Sequence, residues 1–217
     1  MIRSAREADR PAIEAVTLAA YEQYAAILPP RLWREYRRNI VATLADATPE
    51  ITIVAEAGGA LVGSVLLQPA GADTANPGRG TSSRLAHPEV RLLAVAPSAR
   101  GQGVGRRLMD ECIRRARASG TAALILHTAD MMSVAMQLYE HVGFVRDARL
   151  DYEVAADVLV KGYRFPLTLP SPREGSGRET SAGRGPSRAA GSAGSGGPRR
   201  AARDGRAPRC RRAASGR

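Results

Sequence analysis

The sequence predicts a mixed α/β fold carrying both parallel and antiparallel strands. Three observations predict it. Val90 to Ala96, Val104 to Ser119 and Thr121 to Thr128 read as strand, helix and strand within about 40 residues, a βαβ unit with a right-handed crossover. Leu124-Ile125-Leu126 is a continuous apolar run, as a strand buried on both faces in a parallel pair requires. Gly58-Gly59 between two β-branched, partly alternating runs marks an antiparallel hairpin.

The elements follow in order. Ile2 to Arg6 suits a short first strand. Asp9 with Pro11 behind it starts a helix, because Pro fits the first turn and Asp can cap exposed N–H groups. Ile13, Val16, Ala20 and Tyr24 then recur at helical spacing. Pro29-Pro30 breaks the chain. Leu32, Trp33, Tyr36, Ile40, Val41 and Leu44 mark a second amphipathic helix, ended by Pro49. The hairpin runs over 51–56 and 60–68. A Gly/Pro/Ser-rich loop over 69–87 has the length of a functional or mobile segment. In the βαβ helix Leu108, Met109, Cys112, Ile113 and Ala116 share the inner face, so Cys112 is expected as a core thiol. Gly120 caps that helix. Ser133 to His141 forms a further helix stopped by Gly143. Two strands close the domain, around 145–154 and 159–166.

Composition changes near Pro166–Pro170. Residues 169–217 contain no aromatic residue and no Val, Ile or Met, yet hold 10 of the 22 glycines. Such a stretch cannot bury enough apolar surface to offset backbone ordering, so 1–168 is read as the folded domain and 169–217 as a disordered basic tail. The tail has 12 Arg against Glu174, Glu179 and Asp204, so most of the net charge of +11 lies there. A basic balance of that origin limits any nucleic-acid contact to non-specific charge contacts by a flexible arm. Cys112 and Cys210 make neither a disulfide framework nor a zinc cluster, and no metal is expected. No run of about 18 apolar residues spans a membrane, and Met1 to Glu7 lacks a signal-peptide core. A reducing cytoplasm is the expected location.

The chemistry concentrates in Arg100-Gly101-Gln102-Gly103-Val104-Gly105, between a strand and a helix start. A helix N-terminus offers unpaired N–H groups and partial positive charge. Glycines let the backbone approach closely, and Arg100 and Arg106 add charge. The segment reads as a cradle for phosphate or pyrophosphate. It fits neither the P-loop, since Arg106-Arg107 stand where Lys is needed, nor the dinucleotide fingerprint, since the spacing is G-x-G-x-G.

Leu92-Leu93-Ala94-Val95-Ala96-Pro97 followed by that loop resembles the acetyl-CoA signature of the GNAT superfamily of N-acetyltransferases, (R/Q)-x-x-G-x-(G/A). Leu138-Tyr139-Glu140-His141-Val142-Gly143-Phe144 resembles the family's later motif at the expected distance. The resemblance covers about residues 1–166. It implies a single mixed sheet whose central parallel strands splay apart to admit the pantetheine arm. The cofactor would lie against Leu93, Ala94, Val95, Arg100, Gly101, Gln102, Gly103, Val104, Gly105 and Arg106. It further implies transfer of acetyl from acetyl-CoA to a primary amine by direct attack, with Tyr139 as general acid at the departing sulfur. Glu89 and His127 match base positions of two different branches. Six strand residues separate Glu89 from Val95, a span of about 20 Å, and water relays are a third possibility for the base. One departure is Met132, where many relatives carry a cofactor-contacting Asn; Thr128 or Ser133 could replace that contact. The departure favours the alternative of a non-catalytic acetyl-CoA-binding sensor or interaction module. The acceptor pocket is expected from Tyr21, Tyr24, Trp33, Tyr36, the 69–87 loop, Tyr152 and Tyr163. Its amine, on a small molecule or a protein, is left open, and a monomer or homodimer is expected.

Overall fold

In a computed structural model, residues 1–73, 85–155 and 158–167 are described. Most of the 69–87 loop and the tail over 169–217 lie outside them, so the disorder expected of the tail is untested. The elements are β1 (Ile2–Ser4), α1 (Arg10–Tyr21), α2 (Pro30–Ala45), β2 (Thr52–Ala57), β3 (Ala60–Gln68), β4 (Glu89–Val95), α3 (Val104–Ala118), β5 (Ala123–Thr128), α4 (Ser133–Val142), β6 (Val145–Arg146), β7 (Tyr152–Ala155) and β8 (Val158–Pro166). The sheet runs β1-β2-β3-β4-β5-β8-β6, with β7 added on β8. Every neighbouring pair is antiparallel except β4 and β5.

The hairpin forms as expected. Gly58 and Gly59 adopt φ of 58° and 78°, the left-handed geometry that a two-residue turn between twisted strands demands. The inner face of α3 is the expected one, with Val104 added, and Cys112 is fully buried. Burial pushes its thiol pKa up to about 12, which makes it inert packing.

Two hydrophobic clusters lie on opposite faces of the sheet. One joins α3 and α4 to Ile53, Val65, Val90, Leu124 and Leu126. The other joins α1 and α2 to Val54, Leu66, Leu92 and Ala94. Alternation along β2 and β3 divides these residues, since successive side chains point to opposite faces. Within α1 the buried positions are Ile13, Thr17, Ala20 and Tyr21, with Val16 half-buried. Thr17 tolerates full burial because its hydroxyl bonds Ser64 Oγ at 3.0 Å.

The strand expected over 145–154 is a correction. It is split into β6 and β7 by a tight turn over Ala148–Leu150. Asp147 is the cause. Its carboxylate accepts from the Arg149 backbone at 3.2 Å, from the Arg149 guanidinium at 2.8 Å and from Arg164 at 3.0 Å. The turn folds onto β8 at Gly162, where an added Cβ would sit 2.2 Å from Leu150 Cβ and 3.1 Å from its backbone. Gly162→Ala is therefore expected to destabilise the protein by about 2 kcal/mol or more, as overpacking does, read from the urea midpoint.

The hydrogen bonds from Arg149 hold the Asp147 carboxyl well below the usual carboxylate range, despite partial burial. Glu111 is lowered to about 2 by Arg114 and Arg115. A depressed native pKa contributes stability above the unfolded value and loses it as pH falls through the native one. Stability should thus decline below about pH 4, and Asp147→Asn should flatten that decline in urea titrations across the acid range.

Candidate active site

The site begins where β4 leaves β5. Their parallel pairing consists of Glu89 with Ile125 and Val90 with Leu126, and stops there. Across β3, Ser64 faces Ala94 and Leu66 faces Arg91, so Leu92 and Leu93 together oppose Val65. That is a bulge, which bends a strand and raises its twist. Leu92 bears the strain: its φ of +49° is the one positive value among described non-glycine residues. Beyond the bulge β4 keeps β3, and β5 keeps β8 as far as Thr128 opposite Lys161. The facing edges of β4 and β5 are left without each other.

A cavity of about 390 Å³ occupies this parting. Leu92, Leu93, Thr128, Met131, Met132 and Tyr139 line it, together with Tyr21, Tyr36, Tyr152, Glu89, Arg91 and His127. Tyr24 and Trp33 do not line it; they pack in the α1–α2 cluster. Tyr163 is core, 2% exposed, with its hydroxyl bonded to Glu140 at 3.3 Å. The acceptor list from sequence is thereby narrowed to Tyr21, Tyr36 and Tyr152.

Tyr139 is held by its own motif. Gly143 closes α4 at φ 108°, and its N–H and that of Phe144 both bond the Tyr139 carbonyl. Phe144 is buried and packs its ring 6.2 Å from that of Tyr139. The Tyr139 hydroxyl bonds no described residue, and burial raises its pKa well above the ordinary phenol value. It enters the cavity as a protonated donor.

Glu89 and His127 are side by side. Nδ1 of His127 lies 2.6 Å from Glu89 Oε1, and Nε2 lies 3.0 Å from the Leu150 carbonyl oxygen. Both side chains are nearly inaccessible, at 5% and 3% exposure. A carbonyl only accepts, so Nε2 carries hydrogen, and the short contact on the other side requires a proton between Nδ1 and the carboxylate. The Tyr152 ring stands 5.3 Å from the imidazole. The two residues read as alternatives from sequence form one unit.

The glycine loop has its expected form. Gly101 and Gly103 take φ of 74° and 72°, and α3 begins at Val104 with no side-chain cap on its N-terminal N–H groups. Gly105 lets α3 seat closely, since a Cβ there would meet Leu138 at 3.0 Å. The side chains turn elsewhere. Arg100 bonds the Ala20 carbonyl at 3.1 Å and Gln23 at 3.3 Å, Gln102 bonds the Ser98 carbonyl, and Arg106 pairs with Asp110 at 3.0 Å. Backbone N–H groups and the helix end are what the cradle offers an anion.

One atom in the cavity wall is unsatisfied. The Thr128 hydroxyl is buried and has no hydrogen-bond partner among the described residues. An orphaned buried hydroxyl is costly unless a ligand completes it. Sequence reasoning missed Arg91 and the bulge at Leu92. Arg91 was legible only through its period-two relation to Glu89, which places both on one face.

With an αβ sheet that parts at its centre, a glycine cradle at one end and a protonated phenol in the gap, the fold and site define an acyl-group transferase. The chain belongs to the acetyltransferase (GNAT) family, whose sequence profile matches residues 13–144. It is 41% identical over 56 residues, 26% of this chain, to an IAA acetyltransferase of Azospirillum brasilense, so the match spans only about a third of that relative's length, 37%. Among solved structures it is similar to a ribosomal-protein-alanine N-acetyltransferase from Brucella melitensis, with TM-score 0.52, 24% identity and coverage of 77% of this chain and 99% of that one. It is also similar to the PaiA N-acetyltransferase from Thermoplasma acidophilum in complex with coenzyme A, with TM-score 0.56, 15% identity and coverage of 76% and 98%. At these identities the structures speak for the fold. No helix among the described residues is long and apolar enough to cross a membrane.

Because Thr128 lacks a partner, Thr128→Val should leave the unliganded protein as stable or up to about 1 kcal/mol more stable. A clear loss in urea denaturation would mean the hydroxyl is already satisfied.

Proposed function

We infer that the protein transfers an acetyl group from acetyl-CoA to a primary amine, with Tyr139 as general acid and Glu89 as base. The observation that carries this reading is the cavity itself, in which the Tyr139 phenol, the Glu89–His127 pair and the free edge of β4 converge. Acetyl-CoA supplies an activated acetyl thioester. Three features of the chain fit it: the uncapped N-terminus of α3 behind Gly101 and Gly103 suits a pyrophosphate, the parted strands suit an extended arm, and the Thr128 hydroxyl suits a polar group on that arm. Thr128 would replace the contact that Met132 cannot make.

The backbone from Leu93 to Val95 is positioned to hold the acetyl carbonyl, since that edge of β4 has no strand partner, and an N–H there would stabilise developing negative charge. Glu89 takes the proton of the amine through a water relay along the cavity. His127 positions Glu89, because both imidazole nitrogens are already engaged. Tyr139 gives its proton to the departing sulfur. The domain over 1–168 performs this alone, with 169–217 dispensable, and the cytoplasm is the proposed compartment.

Thiol release from acetyl-CoA over a panel of amines tests the reading. Tyr139→Phe should lower kcat about 10- to 100-fold with little change in KM for acetyl-CoA, and Glu89→Gln should lower kcat/KM about 100-fold or more. Thr128→Val should weaken coenzyme A binding about fivefold, the loss of one hydrogen bond. Unchanged turnover in both Tyr139→Phe and Glu89→Gln would defeat the mechanism.

A further inference from the structure

Arg91 is the feature of the cavity that the mechanism leaves unused. It is half-buried on β4, yet its guanidinium makes no hydrogen bond or ion pair with any described residue. The other charged groups in the wall are held: Glu89 by His127, and Glu35 by Arg31 at 3.3 Å on the solvent side of α2. Burying an arginine without an acceptor is costly, and such groups are normally paired.

Its position is set by the regular register of β4 just before the bulge. Val90 and Leu93 join the α3–α4 cluster, whereas Leu92 and Ala94 join the α1–α2 cluster. Regular alternation from Val90 would place Arg91, but not Leu92, toward α1 and α2. The bulge adds Leu92 to that face, and Arg91 stands opposite Leu66, itself a residue of the α1–α2 cluster. The guanidinium therefore lies in the aromatic half of the cavity, on the same face of β4 as Glu89 two residues earlier. Only the backbone edge beyond the bulge belongs to the acetyl side.

We propose that Arg91 is an anion anchor for the acceptor, and that the acceptor is an amino acid: a small amine carrying its own carboxylate. This rests on the acetyl-transfer reading of the site. The planar fork of Arg binds a carboxylate through two parallel hydrogen bonds. With the carboxylate on Arg91, the amine of an amino acid is directed toward Glu89, and Tyr21, Tyr36 and Tyr152 offer aromatic walls to its side chain. A diamine or polyamine would meet Arg91 as a like charge, which selects against it.

Two arms test this with the full chain. In the first, kcat/KM is compared for L-phenylalanine and L-leucine against their amides. The free acids should be favoured about tenfold or more, mostly in KM, as a charge-assisted hydrogen bond provides. Arg91→Met should abolish that preference while changing amide turnover less than about threefold, and Arg91→Lys should restore part of it. Equal turnover of acid and amide, or a uniform loss on both in Arg91→Met, overturns the proposal. In the second arm, calorimetry in the presence of coenzyme A compares N-acetylphenylalanine with N-acetylphenylalaninamide. Neither probe has an ionisable amine, so the carboxylate alone is read. Tighter binding of the acid that is lost in Arg91→Met supports the anchor; equal binding, or none, overturns it. Failure of turnover with every amine together with selective binding of the acid would strike the catalytic reading and leave the anchor standing.

Discussion

Everything in the site depends on β4 failing to stay with β5. A parallel pair buried on both faces would ordinarily satisfy its backbone along its whole length. Here two residues of pairing are followed by a bulge, and the ladder ends. The local cost is a leucine at φ +49°, a conformation worth about 1–3 kcal/mol of strain that persists only where surroundings over-determine it. They do so here. β3 holds β4 on both sides of the bulge, Ala94 is fixed in one cluster and Leu93 against the other, and Leu92 has no other place to go. The strain yields an opening in the middle of a sheet, lined by free backbone, which no regular strand pair offers.

The second constraint is the buried Glu89–His127 pair. At 3% and 5% exposure neither side chain is stabilised by water, so each depends on the other and on the Leu150 carbonyl. That carbonyl is supplied by the turn that Asp147 organises and Gly162 admits. A packing feature of β8 and an acid–arginine cluster on the surface of β6 are thus coupled to the orientation of an imidazole in the cavity. The turn over 148–150 belongs to the site although none of its residues lines the wall.

The sequence carried the fold well where its signals are local. Gly58-Gly59, the inner face of α3 and the Gly143 cap each follow from turn chemistry or helical period, and each forms. The glycine loop and the Tyr139 motif were legible for the same reason. What was not legible depends on tertiary register. Nothing in Leu92-Leu93 announces a bulge, because the two residues suit a regular strand equally well. Glu89 and His127 are 38 positions apart and looked like competitors; the parallel register, Glu89 beside Ile125, is what brings them together. The single strand read over 145–154 failed because alternation of residue types cannot register a side chain, Asp147, that competes for its neighbour's backbone.

The two clusters give the architecture a division of labour. The face toward α3 and α4 holds Val104, Leu138 and Tyr139, which the proposed mechanism gives to the acyl donor together with the glycine cradle. The face toward α1 and α2 holds Tyr21 and Tyr36, which line the cavity with Glu89 and Arg91 and which the proposed mechanism gives to the acceptor. The sheet separates them, and residues of both meet in the cavity beside the bulge. Substitutions on α1 and α2 can therefore change the acceptor without touching the donor's contacts, because the intervening β-strands are rigid, close-packed core. Arg91 sits at that meeting point. It lies on the α1–α2 face by regular alternation from Val90, and the bulge that follows brings Leu92 to the same face, so in the proposed mechanism the donor's gap opens directly beside the acceptor's anchor.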